Sequence, residues 1–153
     1  MLLGVISDTH GLLRPETVDA LRGSAMVIHA GDVGKIAVLE RLRGIACVIA
    51  VRGNIDTEPW AATLPETAIV AVGGHKILVL HDLSRLALDP AEAGLAAVVF
   101  GHSHKPSMEK RAGILYLNPG SAGPRRFRLP TTLARLAVSP AGLEPELVTL
   151  AVS

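Results

Sequence analysis

Aromatic residues are nearly absent from this chain. One Trp, one Tyr and two Phe occur among 153 residues. The 49% of hydrophobic residues must therefore build an aliphatic core of Leu, Val, Ile and Ala. Cysteine is scarcer still. Cys47 stands alone, which excludes an intrachain disulfide and fits a reducing compartment. It falls in the apolar run Ile45–Val51, with no polar neighbour to activate a thiol, so it reads as a small core hydrophobe. No apolar stretch approaches the length of a membrane span. The start, Met1–Ser7, is apolar but shorter than a signal h-region and has no basic segment before it. A cytoplasmic protein with no membrane partner is the expectation. Excess charge is missing as well. The net charge of +1 gives no case for a general nucleic-acid or membrane-surface binder. Internal repeats, charge blocks and low-complexity tracts are also absent.

What is present suits one domain over 1–153. The first half alternates apolar runs with helix-like segments. Leu2–Ser7, Ala25–His29 and Ile45–Val51 read as strands. Pro15 opens a helix to about Leu21, and Lys35–Arg43 forms another with Ile36, Leu39 and Leu42 on one face. That βαβαβ order implies a parallel sheet. The second half is richer in strand. Ala68–Val72 and His75–Leu80 flank Gly73-Gly74 as a hairpin. Asp89–Gly94 reads as a short helix. Ala96–Phe100, Ile114–Leu117, Thr132–Val138 and Glu144–Ala151 read as further strands. The predicted class is α/β, with two mixed β-sheets packed as a sandwich and flanked by helices.

Polar residues cluster where the strands end. The first strand runs into Asp8-Thr9-His10-Gly11 and the second into Gly31-Asp32. The third runs into Gly53-Asn54, the hairpin into His81-Asp82, and the next strand into Gly101-His102-Ser103-His104. Carboxyl ends of parallel strands form ligand crevices, so residues distant in sequence converge there. His and carboxylate suit borderline divalent metals, and one carboxylate can bridge two ions. Two such ions clamp both oxygens of a phosphoryl displacement. Their four positive charges would exceed those of Asp8, Asp32 and a bridging hydroxide, leaving an attraction for a phosphate ester.

Each fragment alone is weak. An isolated Asp-x-His reads first as a cap or turn, Gly-Asp and Gly-Asn are ordinary turn dipeptides, and a lone His-x-His is often a surface loop. The ordered set of five, each after an apolar strand, is what carries the metal reading. His75 follows the Gly-Gly turn and reads as exposed. His29 reads either as a residue orienting a ligand or as a satisfied core histidine.

In this order the motifs resemble the calcineurin-like metallophosphoesterase superfamily, and within it the small YfcE-like phosphodiesterase branch. Ser7–Gly11, His29–Asp32 and Asn118-Pro119-Gly120-Ser121 carry the likeness to that branch, which runs from Leu2 to about Arg126. The resemblance implies a metallophosphoesterase-like four-layer fold and two divalent metal ions. Asp8, His10 and His104 would hold one ion, Asn54, His81 and His102 the other, and Asp32 would bridge. Manganese is a common activator in the branch, although the sequence does not choose the ion. The implied activity is a phosphodiesterase using a hydroxide bridging two metals for in-line attack on phosphorus, with Asn54 and His102 contacting the transition state. Small phosphodiesters are the implied substrates, and oligomers are common in the branch.

Two positions depart from the superfamily pattern. Ile55 follows Asn54 where many members have a proton-donating His, and Asp56 comes next as the acidic residue usual in the small branch. Asp82 follows His81 where Gly is usual, and it either orients a ligand or repels phosphate. Two other readings stay open. One is a silent scaffold of the same fold that binds proteins, like the retromer subunit resembling this family. The other is a nuclease using Arg125, Arg126 and Arg128, a cluster that is more often simply solvated.

Overall fold

A computed structural model describes residues 1–126 and 128–152. Its strands form two five-stranded mixed sheets. In the first, β1 (Leu2–Ile6), β2 (Met26–His29) and β3 (Cys47–Ala50) run parallel. Helices α1 (Pro15–Leu21) and α2 (Ile36–Arg43) make the crossovers between them. The last strands, β9 (Thr132–Ser139) and β10 (Gly142–Thr149), complete this sheet, with β9 antiparallel to β1. In the second sheet β5 (His75–Leu80), β6 (Ala97–Val99) and β8 (Ile114–Asn118) run parallel. β4 (Thr67–Val72) and β7 (Ser107–Arg111) close its edges antiparallel. No helix among the described residues is long and apolar enough to cross a membrane.

Alternation along the strands explains the packing. Leu3, Val5, Ile28 and Leu136 of the first sheet meet Ile77, Val79, Val99 and Leu117 of the second, and all eight are buried. On the outer face of the first sheet, Ile6, Val27 and Leu133 pack under Leu21 of α1 and Leu39 and Leu42 of α2. The outer face of the second sheet carries no α-helix among the described residues. Leu83 and Leu86, at a single 3-10 turn (Leu83–Arg85), and Leu95 pack on Leu78, Leu80 and Val98 there. The flanking helices therefore lie on one sheet.

Several local expectations change. Asp89–Gly94 is a hydrogen-bonded turn, with Ala93 N–H on Asp89 O, and it does not continue as a helix. Ile36 is exposed, and Val38 joins Leu39 and Leu42 in the buried face of α2. As the first helical residue, Ile36 directs its side chain back past the helix start. Cys47 is exposed, not buried. It opens β3, the edge strand of the first sheet, none of whose four residues is fully buried. His75 is half-buried, and its Nε2 lies 2.8 Å from Ser139 O, tying the hairpin turn to the β9–β10 turn. The hairpin itself matches, with Gly73 and Gly74 both at positive φ between Val72 and His75.

Candidate metal centre

Five of the six parallel strands end at one place. β1 delivers Asp8 and His10, β2 Asp32, β3 Asn54, β5 His81, and β6 His102 and His104. The two sheets thus contribute from opposite sides. Six non-glycine residues have positive φ among the described residues, and five of them belong to this cluster: Asp8, His10, Asp32, His102 and His104. Left-handed backbone is uncommon outside glycine and costs free energy at each position. Its concentration here marks a place where side-chain aim overrides backbone preference.

The donor atoms face inward. Asp8 Oδ1 lies 3.7 Å from His10 Nε2, 3.8 Å from His81 Nε2 and 3.5 Å from His104 Nε2. Asp32 Oδ2 lies 3.5 Å from His10 Nε2 and 3.2 Å from His81 Nε2. Two sets converge closely enough to share an ion: Asp8 with His10 and His104, and Asp8 with Asp32 and His81. Asn54 and His102 form the outer edge. Both are exposed, with Asn54 Oδ1 3.3 Å from His102 Nδ1, and the His102 ring stands 5.2 Å from that of His81.

The surroundings occupy the other lone pairs. Asp8 Oδ2 accepts from the His102 backbone N–H and Asp32 Oδ1 from the Ile55 N–H. His81 Nδ1 lies 2.8 Å from the Ala30 carbonyl, to which it donates, so Nε2 is the free nitrogen. What remains is orphaned. Asp8 Oδ1, His10 Nε2, His81 Nε2 and His104 Nδ1 are buried without a hydrogen-bond partner. An unpaired buried polar atom costs about 1–3 kcal/mol. Donors bonded at about 2.1 Å to a tetrahedral or octahedral cation sit roughly 3.0–3.4 Å apart, close to the spacings found here. The donor set therefore fits divalent metal.

Charge follows the same design. Burial pulls the Asp32 carboxyl upward, but the adjacent His81 ring, the Ile55 N–H and the charge of His10 hold it below the ordinary carboxylate value. Burial would depress His81, and Asp32 and Asp8 reverse this, raising it. His104 is lowered by burial, with the positive charge of Arg126 adding to the effect.

A second ring of residues holds the ligand loops. His29 is fully buried, and burial depresses it to about 4, so it is neutral. The Gly31 N–H donates to Nδ1, which leaves the ring proton on Nε2, 2.9 Å from Thr9 Oγ1. Thr9 in turn donates to Val33 O. The two alternatives for His29 thus merge: it is a satisfied core histidine that pins the residue between Asp8 and His10. Asp56 is buried and accepts from the N–H groups of Val33, Gly34 and Gly53, joining the Asp32 and Asn54 loops. Ser121 Oγ donates to Asp8 O, and Asn118 Nδ2 donates to Gly101 O and Ser103 Oγ. Gly53 packs so tightly that a Cβ there would overlap Asp32 Oδ1 and the Asp32 backbone N.

Asp82 points at the 3-10 turn. Its Oδ1 accepts from Ser84 N–H and Oγ, and that bonding lowers its pKa. Arg125 is exposed and makes no hydrogen bond or ion pair among the described residues, whereas its neighbour Arg126 acts on His104. Beside His81 and His102 opens a cleft of about 500 Å³, also lined by Arg52, Glu66 and Arg85. Those three carried no recognisable motif in the sequence.

Residues 1–140 match the model of the calcineurin-like phosphoesterase superfamily domain. The chain belongs to that superfamily. A probable metallophosphoesterase of Methanocaldococcus jannaschii is 37% identical over 134 residues, 79% of this chain and 68% of the relative. Phosphodiesterase YfcE of Escherichia coli is 33% identical over 79% of each chain. Among solved structures, wild-type Vps29 of Entamoeba histolytica complexed with Zn²⁺ superposes with a TM-score of 0.76. It is 24% identical over 97% of this chain and 99% of its own, which shows a shared fold. As a metallophosphoesterase domain, this chain combines the family fold with two groups of side chains able to hold metal.

Proposed function

We propose that this metallophosphoesterase is a dinuclear metal-dependent phosphodiesterase acting on small phosphodiesters. The observation that carries the reading is the set of orphaned donors Asp8 Oδ1, His10 Nε2 and His81 Nε2, converging with Asp32 and His104 where both sheets end. Asp8, His10 and His104 would hold one ion and Asn54, His81 and His102 the other, with Asp32 shared between them. Asp8 Oδ1, 3.7 Å from His10 Nε2, 3.5 Å from His104 Nε2 and 3.8 Å from His81 Nε2, lies near ligands proposed for each ion. When bound, two divalent cations supply the activated water and the charge neutralisation that in-line displacement at phosphorus requires. Manganese is the first ion to test.

The chain's own groups orient and bind. Ala30 O and Asp8 Oδ2 fix the His81 ring and the His102 backbone. Asn54 and His102, exposed at the outer edge, meet the developing charge on the phosphoryl oxygens. Ile55 offers no proton to the leaving group, so esters of acidic alcohols react best.

The test strips the protein with chelator and assays an aryl phosphodiester and the matching monoester with manganese, nickel, zinc and magnesium. Activity restored by metal, lost in His81→Ala and higher on the diester supports the reading. Metal uptake without turnover of either ester would sink it. A protein that takes up no metal would move the assignment to a protein-binding scaffold.

A further inference from the structure

The cleft beside His81 and His102 is larger than a phosphoryl group needs. One wall is made by Asn54, His81 and His102, which belong to the proposed metal centre. Arg52, Glu66, Thr67, Leu80, Asp82 and Arg85 line the rest, and the centre uses none of them. A cleft of about 500 Å³ lies in the range that encloses a drug-sized organic group.

Its charges are balanced. Arg52 and Arg85 are cations, and Glu66 and Asp82 are anions. Arg52 is held in place twice. Its Nη2 lies 3.2 Å from Glu66 Oε1, and its backbone N–H donates to Pro65 O. Asp82 is held through Oδ1 by Ser84, which leaves Oδ2 outside that turn. Arg85 has no ion-pair partner within 4 Å among the described residues, so its donors are available to a ligand. Leu80 adds apolar surface and Thr67 a hydroxyl.

A second phosphate in this cleft would meet as many carboxylates as guanidiniums. A neutral group bearing both donors and acceptors would pair with each. We propose that the Arg52–Glu66–Asp82–Arg85 cleft binds an uncharged, polar ester substituent of nucleoside size, with Arg85 as its specificity-determining residue. The proposal rests on the phosphodiesterase reading for its chemistry, but the cleft makes a separate claim about binding.

Two arms keep the claims apart. In the first, metal-loaded protein is assayed on three p-nitrophenyl diesters with one common leaving group: the methyl ester, the thymidine 5′-ester, and the thymidine 5′-ester carrying a 3′-phosphate. The expected kcat/KM for the thymidine ester exceeds that of the methyl ester by about tenfold, mainly through KM, and the added 3′-phosphate removes the advantage. In Arg85→Ala the ratio of thymidine to methyl ester collapses towards one. In the second arm, calorimetry compares thymidine 5′-monophosphate with inorganic phosphate on wild type and Arg85→Ala. Tighter binding of the nucleotide, lost in the variant, supports the cleft even if no ester turns over, and in that case only the hydrolase reading falls. Methyl and thymidine esters within twofold of each other, a 3′-phosphate that improves turnover, or an Arg85→Ala ratio equal to wild type overturns the proposal while hydrolysis itself stands.

Discussion

Single atoms decide how much the centre tolerates. Gly53 touches Asp32 from the next strand, and a methyl group there overlaps both its carboxylate and its backbone nitrogen. Gly53→Ala is expected to lose about 1–3 kcal/mol of stability and to weaken metal binding, read by denaturant midpoint and by metal titration. His29 makes a pH prediction. Its native pKa of about 4 lies below the unfolded value of 6.5, so the unfolded chain binds more protons between them. The contribution is intact above pH 6.5 and is lost as pH falls to 4, amounting to about 3 kcal/mol. Urea unfolding at stepwise lower pH should show this slope, and His29→Asn, starting from a lower stability, should flatten it. An unchanged slope in the variant would refute the assignment. The residue types of the centre were legible in the sequence because Asp and His after apolar runs are conspicuous. The cleft was not, since Arg52, Glu66 and Arg85 look like any surface charges until the fold gathers them.

At the level of elements, loops are stapled to one another rather than braced from within. Asp56 takes three backbone N–H groups from two different strand ends. Asp56→Asn turns one acceptor into a donor facing those groups, and should cost about 2–3 kcal/mol. A lower urea midpoint with an unaltered m-value would verify it, and a change under 0.5 kcal/mol would contradict the staple. The buried strands β1, β2, β5, β6, β8 and β9 were readable as apolar runs. β7 (Ser107–Arg111) was not, because all five residues are exposed and form no apolar run; beyond its backbone ladder with β8 it offers the Arg111 guanidinium stacked on the Tyr116 ring. The 3-10 turns at Pro59–Thr63 and Leu83–Arg85 also lacked any periodic signal. The turn at Asp89–Gly94 shows the opposite error, in which helix-forming residues stop after one turn for want of an apolar face.

Across the whole molecule, the centre joins the two sheets at their carboxyl ends. Metal should therefore act on global stability. With free ion at about 100 times its Kd, the gain is roughly 2.7 kcal/mol for one site. For a chain of this size that is a rise in Tm of about 5–10 °C, reversed by chelator and absent in Asp8→Ala. Equal Tm with and without metal would argue against ligands drawn from both sheets. Chain order adds a consequence for synthesis. β1 lies between β2 and β9, so the strand that presents Asp8 gains its second neighbour only when residues 132–139 arrive. Ser121, which steadies the Asp8 carbonyl, also comes late. A nascent chain halted before Thr132 would already carry every proposed ligand, yet hold them on an unfinished sheet. Metal capture would thus wait for residues 132–149, and the β9–β10 pair would set the moment at which the centre becomes competent.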